Sequence, residues 1–194
     1  MKTIYFLLLM IVGLLTTAQK NKQTIAVVYY NQVDPELKKQ LLENIKSTYN
    51  CTVVEINGTR TLPVKAYYKP RGRYRANQLL NDLTTIVGYN KVIGITSRDI
   101  STTSGVHYDW GVMGLASCPG KSSVISTFRI KTPDKAKFND RFIKIALHEL
   151  GHTMGVPHCT FSTTCFMEAA NGTVKSVDRE TRHMCSRCKK TLNS

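Results

Sequence analysis

One motif constrains the fold of this chain more than any other feature: HELGHTMGVPH, at residues 148–158. His148 and His152 are four residues apart, so on a helix both imidazoles leave the same face and can bind one metal ion. Gly155 permits the left-handed backbone that ends a helix, and Pro157 cannot continue one. The chain is therefore predicted to turn back after the helix and to bring His158 to the metal as a third ligand.

The residue types in this motif are those of a catalytic zinc site. Histidine nitrogens bind Zn²⁺, and three protein ligands leave the fourth coordination position for water. Glu149 lies beside the two helical histidines, where its carboxylate can activate the zinc-bound water as a general base. The motif therefore indicates a zinc-dependent hydrolase, with Glu149 as the catalytic residue and His148, His152 and His158 on the catalytic zinc.

The residues after the motif include four cysteines: Cys159, Cys165, Cys185 and Cys188. Their C-x₅-C and C-x₂-C spacings suit a closed, tetrahedral structural zinc site. Disulfides are the alternative, since an exported protein meets oxidising conditions. Cys51 and Cys118 belong to no motif and can be buried thiols or a disulfide with each other.

This pattern resembles that of the archaemetzincin (archaelysin) family, zinc metallopeptidases of the metzincin clan. Cys159 directly follows the motif, Cys165 precedes Phe166-Met167, and 17 residues then separate Met167 from Cys185. The family pattern has four residues between the first two cysteines, whereas this chain has five. The resemblance covers residues 148–188, about a fifth of the chain.

The resemblance implies a compact α/β domain with an active-site helix and a small zinc-stabilised C-terminal subdomain. It implies two zinc ions per chain, one catalytic at the three histidines and one structural at the four cysteines. Met167 is expected in a turn beneath the catalytic zinc, as in peptidases that combine such a motif with a later methionine. The implied reaction is hydrolysis of peptide bonds in a peptide or protein substrate.

Upstream of the motif, the order of predicted elements favours an α/β fold with a mixed, mostly parallel twisted sheet and crossover helices. Thr132 is the expected N-cap of the active-site helix, with Pro133 at its first position. Residues 110–116 are a candidate edge strand for binding extended peptide. Hydrophobic periodicity predicts strands at 23–30, 51–56, 91–96 and 122–130, and helices at 35–48, 74–87 and 133–154.

The N terminus has the pattern of a secretory signal peptide. Lys2 precedes an apolar stretch at residues 4–15, and Thr16-Thr17-Ala18 is a small-residue cleavage site. The stretch is short for a membrane span, although an uncleaved anchor is the alternative. We therefore expect removal of residues 1–18 and a periplasmic or secreted monomer. Its single domain, residues 19–194, would comprise an upper part at 19–158 and a Cys-rich part at 159–194.

The chain is strongly basic, with 27 lysines and arginines against 13 acidic residues and a net charge of +14. Such a balance favours attraction to polyanions, but no nucleic-acid-binding fingerprint accompanies it, so no specific nucleic acid partner is expected. The acid-free stretch from Arg60 to Arg75 is a candidate for binding substrate carboxylates. The main alternative function is a zinc-containing peptide- or polyanion-binding protein with little or no turnover.

Overall fold

A computed structural model describes residues 22–170 and 172–193, so the predicted signal peptide at residues 1–18 lies outside the described residues. The described residues form two sheets and five α-helices. In chain order the elements are β1 (Thr24–Tyr29), α1 (Pro35–Tyr49), β2 (Thr52–Glu55), β3 (Tyr67–Tyr68), β4 (Arg73–Arg75), α2 (Ala76–Thr84), β5 (Lys91–Thr96), β6 (Ile100–Ser104), β7 (His107–Val112), β8 (Gly114–Ala116), β9 (Ser122–Ser126), α3 (Lys135–Thr153), α4 (Val174–Arg179) and α5 (Ser186–Asn193).

The main sheet has the strand order β2-β1-β5-β9-β8. Strand β1 is parallel to β2 and β5, β5 is parallel to β9, and β8 runs antiparallel to β9. The predicted α/β fold with a mixed, mostly parallel sheet is therefore confirmed. Central strands of such a sheet are buried on both faces, which is why β1 is almost continuously apolar. Ile25 and Val27 pack into one core cluster, and Ala26 and Val28 into the other.

Helices cover both faces of the main sheet. Leu41 of α1 and Phe142 of α3 join the cluster of Ile25, whereas Leu79 and Leu83 of α2 join the opposite cluster. Helix α3 is therefore packed against the sheet and α1, and this rigid support fixes the helix that carries the motif.

The start of α3 differs from the sequence prediction. Thr132 is not its N-cap: the helix begins at Lys135, and the Asp134 carboxylate accepts a hydrogen bond from the Lys137 amide at 3.0 Å. A carboxylate immediately before the first turn satisfies a free amide and lies at the positive end of the helix dipole.

The second sheet, with the order β3-β4-β6-β7, occupies segments that were predicted as irregular. The predicted helix from Tyr74 begins later, because residues 73–75 pair with β3 and β6. The predicted strand at residues 110–116 is also wrong as a single element. It divides between β7, in the second sheet, and β8, the last strand in the order of the main sheet.

Arginines of the acid-free stretch are used within the protein. Arg60 forms an ion pair with Asp82 at 2.6 Å, and Arg73 forms ion pairs with both Asp99 and Asp109 at 2.8 Å. The Arg73 contacts stabilise the second sheet, and the Arg60 contact joins the loop after β2 to α2. The two guanidinium groups therefore already have carboxylate partners.

Residues beyond α3 form a small C-terminal part that packs on the active-site helix. Phe166 and Met167 are fully buried, and Arg141 of α3 binds Asp178 of α4 through two hydrogen bonds of 2.6 and 2.7 Å. Within the described part of the chain, no helix combines the length and apolar character that crossing a membrane requires.

Candidate active site and metal centres

Helix α3 presents one face to a cavity of about 740 Å³. Ile145, His148, Glu149 and His152 line this cavity, and their spacing of three and four residues is that of one helical face. The helix ends as predicted, because Gly155 adopts the left-handed conformation with φ of +87°. The chain can therefore turn back and bring His158 to the same cavity.

The C-terminal end of α3 is held by groups from the main sheet. Lys91 of β5 donates hydrogen bonds of 2.7 Å to the carbonyls of Gly120 and Thr153, and the Gly120 amide also donates to Thr153. Carbonyls in the last turn of a helix have no partner within the helix. These contacts satisfy one of them and fix the position at which the histidine-bearing face ends.

The three histidines of the motif come together. Their ligand nitrogens lie within 4.8 Å of one another, and Nε2 of His148 is 3.0 Å from Nε2 of His152. A tetrahedral zinc ion with Zn–N bonds near 2.0–2.1 Å places its nitrogen ligands about 3.4 Å apart. The observed separation is thus close to that around a single zinc ion.

The hydrogen bonds of the imidazoles determine which nitrogens are free to bind metal. Nδ1 of His148 faces the Phe166 carbonyl and Nδ1 of His152 faces the Val156 carbonyl, both at 2.7 Å. A carbonyl oxygen can only accept, so each Nδ1 carries a proton and each Nε2 has a lone pair. Two lone pairs facing each other repel unless a cation lies between them, and the site therefore fits a metal ion.

Burial favours the neutral, metal-binding form of these imidazoles. It lowers the pKa of His148 to about 3, with the neighbouring His152 as a smaller cause. The pKa of His152 is lowered in the same way by burial. His158 is the most exposed of the three, and it lies where the cavity opens to solvent.

Glu149 lies in the same cavity but is not part of the histidine cluster. Its side chain is only 7% exposed, and burial raises the pKa of its carboxyl to about 8. The backbone of β8 approaches it closely at Gly114. A Cβ atom at that position would lie 2.6 Å from Cγ of Glu149 and 2.7 Å from Cδ. A glycine is therefore required where the edge strand passes the carboxylate.

The four cysteines form a second cluster. Their sulfur atoms lie within 4.8 Å of one another, and Sγ of Cys159 is 3.7 Å from Sγ of Cys185. Tetrahedral Zn–S bonds of 2.3 Å give sulfur separations of about 3.8 Å, whereas a disulfide needs about 2.05 Å. All cysteines in the described residues are free thiols, so the geometry favours the metal-binding alternative over disulfides.

The two cysteines outside this cluster are not joined to each other. Cys51 is buried and its thiol donates to the Ile45 carbonyl at 3.7 Å, whereas Cys118 is exposed at the cavity. The buried-thiol alternative therefore holds for Cys51. Cys118 lines the cavity without belonging to either ligand cluster.

Met167 packs directly against the active-site helix. A Cβ atom on Gly151 would lie 2.6 Å from its sulfur, so the glycine inside the motif makes room for the methionine. The Met167 carbonyl accepts a hydrogen bond of 2.7 Å from the amide of Cys159. The structure thus places Met167 between the segment carrying His158 and the helix carrying the other two histidines.

Sequence reasoning did not single out Glu180, and it included Gly114 only as part of the candidate edge strand at residues 110–116. A glycine in a predicted strand often marks a close approach of backbone to another group, and this signal could have found Gly114. Glu180 follows α4 in a segment without recognisable periodicity, so no sequence signal pointed to it.

Known proteins share this sequence pattern and fold. The model of peptidase family M54 matches residues 22–194. Archaemetzincin from Halobacterium salinarum is 31% identical over 175 residues, which cover 86% of this chain and 97% of that protein. Archaemetzincin from Methanopyrus kandleri is 39% identical over 132 residues, covering 68% of this chain and 72% of that protein.

Solved structures agree with these matches. The crystal structure of the Methanopyrus kandleri archaemetzincin superposes with a TM-score of 0.79 at 30% identity and covers 91% of this chain and 97% of that one. The structure of archaemetzincin from Archaeoglobus fulgidus complexed with malonate gives a TM-score of 0.73 at 26% identity, with 87% of this chain and 99% of that one covered.

Proposed function

Because this chain belongs to peptidase family M54, the archaemetzincins, it is a zinc metallopeptidase, and we propose that it is of the metzincin type, with Glu149 as its general base. The observation that carries this proposal is the shared cavity. The buried carboxylate of Glu149 and the three histidines, His148, His152 and His158, all line it.

The proposed zinc content is two ions per chain. One is assigned to His148, His152 and His158, since their ligand nitrogens lie within 4.8 Å of one another and the facing Nε2 atoms of His148 and His152 need a cation between them. The other is assigned to Cys159, Cys165, Cys185 and Cys188, whose sulfur separations suit tetrahedral zinc. Met167 is assigned a structural role, in which it packs against α3 and supports the first zinc site.

Each residue has a defined part in the reaction. Zinc supplies Lewis acidity, which polarises the substrate carbonyl and makes a water molecule easier to deprotonate. Glu149 accepts a proton from the water molecule while the oxygen of that water attacks the carbonyl carbon of the substrate. The carboxyl then gives this proton to the amide nitrogen, the C–N bond breaks, and the products are a carboxylate and a protonated amine once the new carboxyl group has transferred its proton to the amine.

Strand β8 is the proposed binding surface for the substrate backbone. It is the last strand in the order of the main sheet, and Gly114, Leu115 and Ala116 line the cavity. An extended peptide can add to such an edge through backbone hydrogen bonds. The close approach of Gly114 to Glu149 would then bring the scissile bond to the base.

A paired assay tests this mechanism. Wild type and Glu149→Gln are purified, their zinc is counted, and both are incubated with a broad peptide library. We expect two zinc ions in each protein and a loss of cleavage of at least about 100-fold in the variant, since general base catalysis contributes on the order of 10²–10⁴. Equal cleavage by both proteins, or none by zinc-loaded wild type, would contradict the proposal.

Export is proposed from the N-terminal pattern alone. The pattern of Lys2, the apolar residues 4–15 and the small residues 16–18 favours cleavage after Ala18. A monomeric state is proposed separately. N-terminal sequencing of the protein recovered outside the cytoplasm would identify the cleavage site, and its mass in solution would give the oligomeric state.

A further inference from the structure

A second buried carboxylate lines the cavity, in addition to that of Glu149 in the motif. Glu180 is the residue that ends α4, and its side chain is only 6% exposed. Its Oε1 atom is buried and has no hydrogen-bond partner among the described residues. Buried polar atoms in folded proteins are nearly always paired, and Glu180 is one of the residues that line the cavity, so a substrate group is a candidate partner for its carboxylate.

The nearby cations do not supply this partner. Lys144 donates to the Val177 carbonyl at 3.0 Å and forms an ion pair with Asp140. Arg179 binds both oxygens of Glu168, at 2.7 and 2.9 Å. Burial, together with the charge of Glu168, raises the pKa of Glu180 to about 7, although the charges of Lys144 and Arg179 oppose this shift.

The cavity differs in charge from the rest of the molecule. The chain has 27 lysines and arginines, yet none from its described part lines the cavity. Its acidic lining residues are Glu149, Glu168 and Glu180, and much of the remaining wall is apolar, including Ile145 and Val177. An apolar wall that ends in a carboxylate is complementary to a long side chain with a cationic end.

We propose that Glu180 is a specificity-determining residue, which binds a lysine or arginine side chain at one of the two substrate positions flanking the scissile bond. This inference rests on the proposed peptidase function of the cavity. The methylene groups of the basic side chain would pack against Ile145 and Val177. Its ammonium or guanidinium group would donate to the Glu180 carboxylate in a charge-assisted hydrogen bond, after a rotation of the side chain that opens Oε1 to the cavity.

Matched peptides test the proposed contact. Two series are made, varying the residue before or after the scissile bond, with lysine, arginine or norleucine at that position. Norleucine keeps the aliphatic chain and removes the charge. For at least one of the two positions, wild type is expected to cleave the basic peptides with kcat/KM at least about tenfold above the norleucine peptide, because the neutral analogue leaves the buried carboxylate unpaired.

Two variants determine whether Glu180 causes this preference. Glu180→Gln is expected to lower the basic-to-norleucine ratio to near one, whereas Glu180→Asp keeps a carboxylate and is expected to retain part of it. Glu43→Gln makes the same chemical change on the exposed surface of α1 and is expected to leave the ratio unchanged. A ratio is insensitive to a general loss of folded protein, so a purely structural role would not alter it.

The outcomes separate this inference from the proposed function. Equal cleavage of basic and norleucine peptides by wild type, or a preference that survives in Glu180→Gln, would overturn the inference and leave the peptidase proposal standing. If zinc-loaded wild type cleaves no peptide, the proposed function fails. Binding of lysine- and norleucine-containing peptide hydroxamates then tests Glu180 without turnover, and equal affinities for the two would overturn its proposed role.

Discussion

At the scale of single residues, the position of Glu149 depends on the absence of a side chain at Gly114. The edge strand passes so close that an added Cβ atom would lie 2.6 Å from Cγ of Glu149. Such a separation is shorter than any normal contact between carbon atoms, so either the strand or the carboxylate must move. A displacement of about 1 Å at a catalytic group can cost on the order of 10²-fold in rate.

Gly114→Ala is therefore expected to lower kcat by about 10- to 100-fold while two zinc ions remain bound. Steady-state kinetics and metal analysis of the purified variant check both statements. Gly58→Ala is the control, since Gly58 lies in a turn with φ of +80° and no atom within 4 Å of the added Cβ. The control should lower stability without changing kcat. A normal kcat in Gly114→Ala would show that strand β8 moves and that Glu149 keeps its position.

The residues of the site differ in how far the sequence could predict them. His148, Glu149 and His152 share one helical face through their spacing alone, so a local pattern defines their arrangement. Gly114 and Glu180 reach the cavity from separate parts of the chain. Their roles depend on how β8 and α4 pack around α3, and such packing leaves no local pattern in the sequence.

At the scale of secondary structure elements, burial explains which predictions succeeded. Strands β1 and β5 are buried on both faces and rich in β-branched residues, and their predicted bounds are confirmed within one residue. The second sheet was missed because β6 and β7 form a largely exposed polar hairpin, without the alternation that marks a half-buried strand. Helix α4 is too short, at six residues, to show helical periodicity.

The cysteine cluster connects two separate segments of the C-terminal part of the chain. Cys188 lies on α5 and Cys185 just before it, whereas Cys159 and Cys165 flank the loop that follows His158. Cys188→Ser is expected to reduce the zinc content from two ions to one and to lower the midpoint of thermal unfolding, because a structural zinc contributes directly to folding free energy. Metal analysis and calorimetry of the purified variant measure these changes.

Cys118→Ser is the matched control for this experiment. Cys118 is a free thiol outside the cluster, so the same substitution there should leave two zinc ions bound. A Cys188→Ser protein that still holds two ions would contradict the assignment of the second zinc. Loss of one ion from the Cys118→Ser protein would contradict it equally.

At the scale of the whole molecule, the basic surplus and the acid-lined cavity serve different purposes. The net charge of +14 makes the surface as a whole attractive to anions. The cavity is nevertheless lined by three glutamates and by no lysine or arginine of the described residues, and Arg60 and Arg73 are engaged in internal ion pairs. Net charge therefore predicts the behaviour of the surface and gives no guide to the substrate.

Global stability should depend on pH through the pair of Arg141 and Asp178. The Arg141 hydrogen bonds lower the pKa of Asp178 to about 2, against about 3.9 for an unfolded aspartate. This contribution is complete above about pH 5 and is lost as the pH falls towards 2, because protonation removes the charge that Arg141 binds. It amounts to about 2 kcal/mol.

The stability difference between wild type and Asp178→Asn is therefore expected to shrink by about 2 kcal/mol from pH 5 to pH 2. Urea unfolding of both proteins at several pH values measures it. Metal loss in acid affects both proteins, so the difference between them isolates the ion pair. A difference that stays constant over this range would show that Asp178 does not titrate as a charge partner of Arg141.

His158 and Cys159 are consecutive in the chain, yet they belong to different ligand clusters. In the proposed two-zinc enzyme, both ions restrict the same short segment. The first ion to bind already orders this segment, so the second ion binds with a smaller loss of conformational entropy. Such coupling is reciprocal: each ion raises the affinity of the other site by the same factor. Zinc uptake at the two sites is then positively cooperative.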